Sequence, residues 1–199
     1  MFVDYFYPPQ PTRLWPQSAL FKKLNDNPLW DAELKYNGWR CLIWKENNRI
    51  YIYNRHSTII DIQPKLFLSH FVDIPNYTIF DSELINFRTK DLKNTIVIFD
   101  CAFYDGTDLR REMLKDRRPY LEAFKMAPKT LRQYNSSRVY RIQQFSTGFK
   151  RLYTFTLDSK IVEGVVLKRI DSLYPTHPSR GKVINDWLKV RKIGDHAKV

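Results

Sequence analysis

The chain has 199 residues, 43% of them hydrophobic and 27% charged, which is the balance of a soluble globular protein able to bury a core without disulfides or metals. Its formal net charge of +12 points towards a polyanionic partner, nucleic acid above all, and away from cationic or neutral ones. Met1 to Thr12 lacks the basic and apolar regions of a signal peptide, and no apolar run reaches the ~18–20 residues a membrane-spanning helix needs. Cys41 and Cys101 both fall in apolar, strand-like runs, so two buried free thiols are expected, consistent with a reducing cytoplasm.

In chain order, Tyr7-Pro8-Pro9-Gln10-Pro11 predicts an extended lead-in, and Ser18 to Asn25 a short helix. From Trp30 the pattern turns to strands. Ala32 to Trp44 is interrupted by the turn signal Asn37-Gly38, and Asn48-Arg49 separates it from Ile50 to Asn54 as a hairpin. Asp61 to Phe71 predicts a helix with Pro64 in its first turn. Thr78 to Phe87 and Thr95 to Tyr104 are β-rich, and Tyr104-Asp105-Gly106-Thr107 reads as a turn leading into a helix. Leu114, Leu121 and Phe124 give Leu109 to Ala127 a helical spacing. Arg138 to Phe145 predicts a strand, and Phe149 to Leu157 fits either element. Lys160 to Arg169 predicts a buried strand. Asp186 to Lys192 alternates, with Trp187, Lys189 and Arg191 on one face and Leu188 and Val190 on the other. The fold class is α+β, mostly antiparallel, in one compact unit.

Four segments carry candidate chemistry. Glu33-Leu34-Lys35-Tyr36-Asn37-Gly38-Trp39-Arg40 places a lysine just before a turn and an arginine five residues on. Taken alone, such a lysine is a solvated charge. Thr78 to Leu84 holds two carboxylates, Asp81 and Glu83, on one strand. Glu163 interrupts the apolar run from Ile161 to Leu167, and a buried carboxylate requires a metal or a cation beside it. Trp187 to Lys192 sets Lys189 and Arg191 on one strand face, where they would suit a phosphate, with a charged edge strand as the alternative.

Together these segments resemble the covalent nucleotidyltransferase superfamily of DNA ligases, RNA ligases and capping guanylyltransferases, and the adenylation domain of ATP-dependent DNA ligases most. The ordered matches are Lys35 to Arg40, Asn54-Arg55, Asp81 to Leu84, Ile98-Phe99-Asp100 with Tyr104-Asp105-Gly106, Glu163 to Lys168, and Trp187 to Arg191. They cover Trp30 to Lys192. The resemblance implies an ATP-grasp-like nucleotidyltransferase domain over residues 1–199 and a nucleophilic Lys35 that becomes bonded to AMP from ATP. It implies that Lys189 and Arg191 depress Lys35 and hold the α-phosphate. Glu163 with Asp81 or Glu83 would hold Mg²⁺ or Mn²⁺; Glu83 and Arg40 would contact ribose; Arg55 would meet phosphate. Phe99 would stack on adenine, with a plain core phenylalanine as the equal alternative, and Glu33 would line the base pocket.

Asn37 replaces the usual aspartate of the first motif, Ser82 stands where glycine is common, and Arg191 stands where a lysine is usual. Lys192 is followed by seven residues, too few for the OB-fold domain that normally follows in such ligases. A minimal ligase, a separate protein carrying the OB-fold, or a fragment would each account for that. A slow first step, with sealing of pre-adenylated nicks better retained, is the expectation if nothing substitutes.

Between Glu122 and Asp158 there are seven basic residues and no acidic one: Lys125, Lys129, Arg132, Arg138, Arg141, Lys150 and Arg151. Tyr134, Tyr140, Phe145, Phe149 and Tyr153 are interleaved with them. Cations with adjacent rings form a candidate face for nicked duplex DNA, or for RNA. The leading reading is an ATP-dependent DNA ligase. An RNA ligase, a capping guanylyltransferase and a nucleic-acid-binding protein with a decayed site are the alternatives.

Overall fold

The computed structural model describes residues 3–16, 18–60, 62, 65–86, 88–89, 92–134, 136–177 and 181–192. Its elements are β1 (Gln10–Leu14), α1 (Ser18–Asn25), β2 (Trp30–Tyr36), β3 (Trp39–Glu46), β4 (Arg49–Asn54), α2 (Lys65–Leu68), β5 (Thr78–Ile85) and β6 (Thr95–Tyr104), followed by β7 (Thr107–Asp108), α3 (Leu114–Arg117), β8 (Arg138–Arg141), β9 (Gln144–Phe145), α4 (Phe149–Thr156), β10 (Val162–Arg169) and β11 (Val183–Arg191). The strands form two sheets. One has the order β1-β11-β10-β2-β9; the other runs β4-β3-β5-β6-β7, with β8 pairing parallel to β6. The class is α+β, as the strand-rich sequence predicts.

Period-2 alternation sets the five-stranded sheet. Ala32, Leu34 and Tyr36 of β2, Val165 and Leu167 of β10, and Leu188 and Val190 of β11 enter one core with Phe21, Leu24, Phe149 and Leu152 of α1 and α4. The cross-strand register puts Glu33, Val166 and Lys189 in one row and Lys35, Gly164 and Arg191 in the next, on the opposite face. The same strands therefore build a core on one side and present charge on the other. A second core lies against the six-stranded sheet, around Ile43, Ile52, Phe80 and Ile98. A third takes Trp44 and Phe103 from that sheet, Trp187 from the other and Phe6 from the N-terminal segment, so it ties the two sheets together.

Asn37-Gly38 does not close a hairpin. β2 and β3 belong to different sheets, and the turn carries the chain from one to the other. Gly38 is required there because an added Cβ would meet the Leu84 carbonyl oxygen at 2.5 Å. The β3–β4 hairpin turns on Asn47-Asn48, both with positive φ, as a two-residue hairpin turn requires. Phe149 to Thr156 is a helix, which settles that segment. Leu109 to Ala127 is not one helix: α3 covers four residues and Arg118–Leu121 is a 3₁₀ turn. Pro119 removes a backbone donor there. Of the helix expected from Asp61 to Phe71, the described residues form α2 and a 3₁₀ turn over Ser69–Phe71, while Asp61, Gln63 and Pro64 lie outside the described residues. The N-terminal lead-in is extended, but it is also an edge strand, β1 pairing parallel with β11. Both cysteines are buried and free, and among the described residues no helix is long and apolar enough to cross a membrane.

Candidate active site

A cleft of about 870 Å³ lies between the charged face of the five-stranded sheet and the six-stranded sheet. Glu33, Lys35, Arg40, Arg55, Glu83, Phe99, Glu163, Lys189 and Arg191 all line it. These are the residues proposed from sequence for the nucleophile and its nucleotide, Asp81 excepted.

Lys35 is the next-to-last residue of β2, on the cleft face. Its Nζ contacts Glu163 Oε1, and the two side chains are 18% and 10% exposed. Glu163 reaches this position through a bulge: the β10–β2 register shifts between Val162 and Gly164. Gly164 has φ 149°, and an added Cβ would lie 2.1 Å from the Val190 carbonyl oxygen. Only glycine allows β11 to approach so closely, which is why Glu163 and Arg191 meet, at 3.1 Å. The charge nearest the Lys35 nitrogen is thus a carboxylate. The second cation is Lys189, whose ammonium is held below its ordinary pKa by half-burial and by Lys35, Arg191, Arg40 and Arg13. Arg191 Nε is buried without a hydrogen bond, a donor left over for an anion.

Across the cleft, Glu83 accepts a hydrogen bond from Gly38 N at 2.9 Å. Burial raises its carboxyl above the usual range, Lys35 opposes that rise, and Glu163 adds to it. Arg40 projects beside Glu83. Its Nε and Nη2 donate to Asp81 Oδ1 and Oδ2 at 2.9 and 2.5 Å and its Nη1 to the Pro9 carbonyl at 2.6 Å, so β5 and the segment just before β1 both fix it. Five donors with three taken leave two for a ligand.

Asp81 corrects one expectation. It is wholly buried, outside the cleft lining, with its carboxylate taken by Arg40 and by the Tyr174 hydroxyl at 2.6 Å. It anchors Arg40 and has no free face for a metal. Glu83 and Glu163 remain. Among the described residues no cluster of three or more acidic, His or Cys side chains could hold a metal. These two carboxylates are the residues that would hold Mg²⁺, a hard ion that needs few protein oxygens.

At the inner end of the cleft Glu33 is 2% exposed, and its Oε2 meets Lys168 Nζ at 2.7 Å. Phe99 is half-buried, with Lys168 Nζ 4.8 Å and Arg40 Cζ 5.4 Å from its ring centroid. Arg55 lines the mouth and donates through Nε to His56 Nε2 at 3.1 Å. Lys168, Trp187, His56, Arg88 and the segment from Tyr7 to Pro11 also line the cleft and were not singled out as site residues. Lys168 was legible as a cation inside an apolar strand. The N-terminal wall carried no sequence signal, since its partner strand is the last one.

The seven basic residues from Lys125 to Arg151 do not line the cleft. Arg138 and Arg141 lie on β8 in one sheet, and Lys150 and Arg151 on α4 against the other. Lys129 stands over Phe145 at 5.6 Å and Arg138 over Tyr134 at 4.4 Å. Phe149 and Tyr153 are buried in the core, which removes them as stacking rings.

The sequence profile of the ATP dependent DNA ligase domain matches residues 79–191. The chain therefore belongs to the ATP-dependent DNA ligase domain family. It is 27% identical over 177 residues to the SPbeta prophage-derived DNA ligase-like protein LigB of Bacillus subtilis (strain 168), an alignment covering 80% of this chain and 60% of that one. A DNA ligase of Monkeypox virus is 26% identical over 193 residues, with coverage of 81% and 31%. The chain thus spans less than two thirds of the length of these relatives. In fold it is similar to the ligase domain from M. tuberculosis LigD, with a TM-score of 0.65 at 18% identity and coverage of 92% and 59%. It is also similar to the ATP-dependent DNA ligase from bacteriophage T7 in complex with ATP, at TM-score 0.51, 15% identity and coverage of 91% and 68%.

Proposed function

We propose that the chain is the nucleotidyl-transferring part of an ATP-dependent DNA ligase, sealing nicks through a lysyl-AMP intermediate on Lys35. The observation that carries this reading is the Lys35–Glu163–Arg191 contact inside a cleft that Lys189 also lines. Attack on the α-phosphorus of ATP forms a nitrogen–phosphorus bond and breaks the bond to the pyrophosphate oxygen. Attack needs the free amine, and Glu163 Oε1 is in contact with the nitrogen that must lose its proton. Lys189 and Arg191 face the charge that develops on the α-phosphate. Mg²⁺, when bound by Glu83 and Glu163, would neutralise phosphate charge. Arg40, held by Asp81 and Pro9, offers its remaining donors to the ribose with Glu83, and Glu33 and Phe99 line the base end. AMP then passes to the 5′-phosphate of a nick, and the 3′-hydroxyl displaces it.

The test is covalent labelling. With Mg²⁺ and α-labelled ATP, wild type is expected to carry label on Lys35, located by peptide mapping, and Lys35→Ala to carry none. A wild-type protein freed of bound nucleotide that takes no label from ATP would sink the reading.

DNA in preference to RNA rests on the family and on relatives that are named DNA ligases. The duplex would meet the basic residues between Lys125 and Arg151. Each neutralised phosphate releases counterions, so contact with about four phosphates weakens binding about a hundredfold between roughly 50 and 200 mM salt. Titration of nicked DNA at both salt levels checks this, and equal affinities would remove the assignment.

A further inference from the structure

Glu33 is short of one hydrogen bond. Its Oε2 is taken by Lys168, but Oε1 is buried with no partner. The nearest further cation is Arg118, with Nη2 3.8 Å away, too far for a hydrogen bond. Arg118 comes from the 3₁₀ turn after α3 and is held through Nη1 by Asp31, two residues before Glu33 on β2. Its Nε and Nη2 are buried and unpartnered. Asp100, itself paired with Arg117, also faces Glu33 from β6, and Lys35 follows it on the strand in contact with Glu163. Burial pushes the Glu33 carboxyl up, and Lys168 and Arg118 oppose that.

An ionised carboxylate only accepts hydrogen bonds, whereas a protonated one also donates. Adenine presents an amino donor at position 6, and guanine presents a carbonyl acceptor there. Where Glu33 meets position 6 of the base, away from the N1–H and 2-amino donors of guanine, its charge state therefore decides which purine finds a complementary partner. We propose that Arg118, anchored by Asp31, is a positioning residue that keeps Glu33 ionised and in place, and so sets the preference for ATP over GTP. Arg118 does not line the cleft; it acts through Glu33. The inference rests on the proposed transfer of a nucleotide to Lys35.

The experiment labels the full chain with α-labelled ATP and GTP in competition and measures the ratio of the two lysyl adducts at a series of pH values on both sides of neutrality. In Arg118→Gln the ATP:GTP ratio is expected to fall by about tenfold or more. The GTP share should rise further as the pH falls. Arg118→Lys keeps the charge without the fork that faces Asp31 and Glu33 together, and should lie between the two. A lower total yield with a wild-type ratio at every pH would mean that Arg118 serves the fold alone, and would overturn the proposal. If the Gln variant does not fold, the Lys variant decides: its GTP share must begin to rise at a higher pH than in wild type, and an identical profile overturns the inference. Failure of both nucleotides to label wild-type Lys35 brings down the transfer reading and this inference with it. Label on Lys35 in a ratio indifferent to Arg118 brings down this inference only.

Discussion

Glu163→Gln is expected to slow nucleotide transfer to Lys35 by about a hundred- to a thousandfold while leaving the fold intact. The amide keeps the shape of the side chain and can still contact Lys35 and Arg191. It cannot accept the lysine proton as a carboxylate does, and it is a poor ligand for a divalent ion. Lys35 and Glu163 are only 18% and 10% exposed, so water screens the two cations left facing each other in part only. The stability cost should be about 1–3 kcal/mol. Single-turnover labelling beside a thermal melt separates the two effects. A wild-type labelling rate in this variant would show that another group takes the proton.

The largest stability effect is expected at Arg117. Its guanidinium and the Asp100 carboxylate are both fully buried, joined by two hydrogen bonds of 2.8 and 2.9 Å, with a further bond at 3.1 Å to the Ser172 carbonyl. Arg117→Ala leaves the buried Asp100 carboxylate without its hydrogen-bonded cation, with Lys168 the one remaining positive charge that acts on it among the described residues, at a cost of about 3–5 kcal/mol. For a chain of this size that lowers the melting temperature by about 10 °C or more. Replacing both partners with apolar residues of similar volume should recover much of the loss. Burial alone would raise the Asp100 carboxyl; Arg117 outweighs it and holds the pKa below the usual range. A folded-state pKa below the unfolded one stabilises the protein fully above the unfolded value of about 3.9. That contribution fades as the pH falls through the lower, folded value. Denaturant titrations of wild type and Arg117→Ala at neutral and acid pH check both statements: the gap between the two proteins should narrow in acid.

The pattern of the sequence carried the chemical face of the site because that face is built by alternation. Lys35, Lys189 and Arg191 are legible because strands put every second residue on one side, and Glu163 because it breaks an apolar run. Alternation reveals a face and leaves the facing partner unknown. Asp81 and Glu83 are two apart on one strand and read as equivalent, yet Asp81 is consumed by Arg40 and Tyr174 while Glu83 reaches the cleft. Arg117 and Arg118 are adjacent in a segment whose spacing predicts one helix, and nothing in that spacing tells that one binds Asp100 and the other Asp31. Lys45 looks like an exposed strand charge; it is buried, with its Nζ donating to the carbonyls of Phe71, Val72 and Ile74. Each of these outcomes depends on a residue distant in sequence, which local periodicity does not encode. The helix expected from Leu109 to Ala127 is limited to Leu114–Arg117, followed by the 3₁₀ turn Arg118–Leu121, where Pro119 lacks the backbone donor a longer helix would use.

The order in which the two sheets are strung along the chain bears on protein synthesis. The wall that Pro9 and its neighbours form pairs with the final strand, the Thr12 hydroxyl meeting the Ile184 carbonyl 172 residues away. Contacts between such distant segments close late in folding. A ribosome-bound chain that has exposed Lys35 still lacks Glu163, Lys189 and Arg191. On the proposed reading, transfer of nucleotide to Lys35 would therefore have to wait until translation had passed β11.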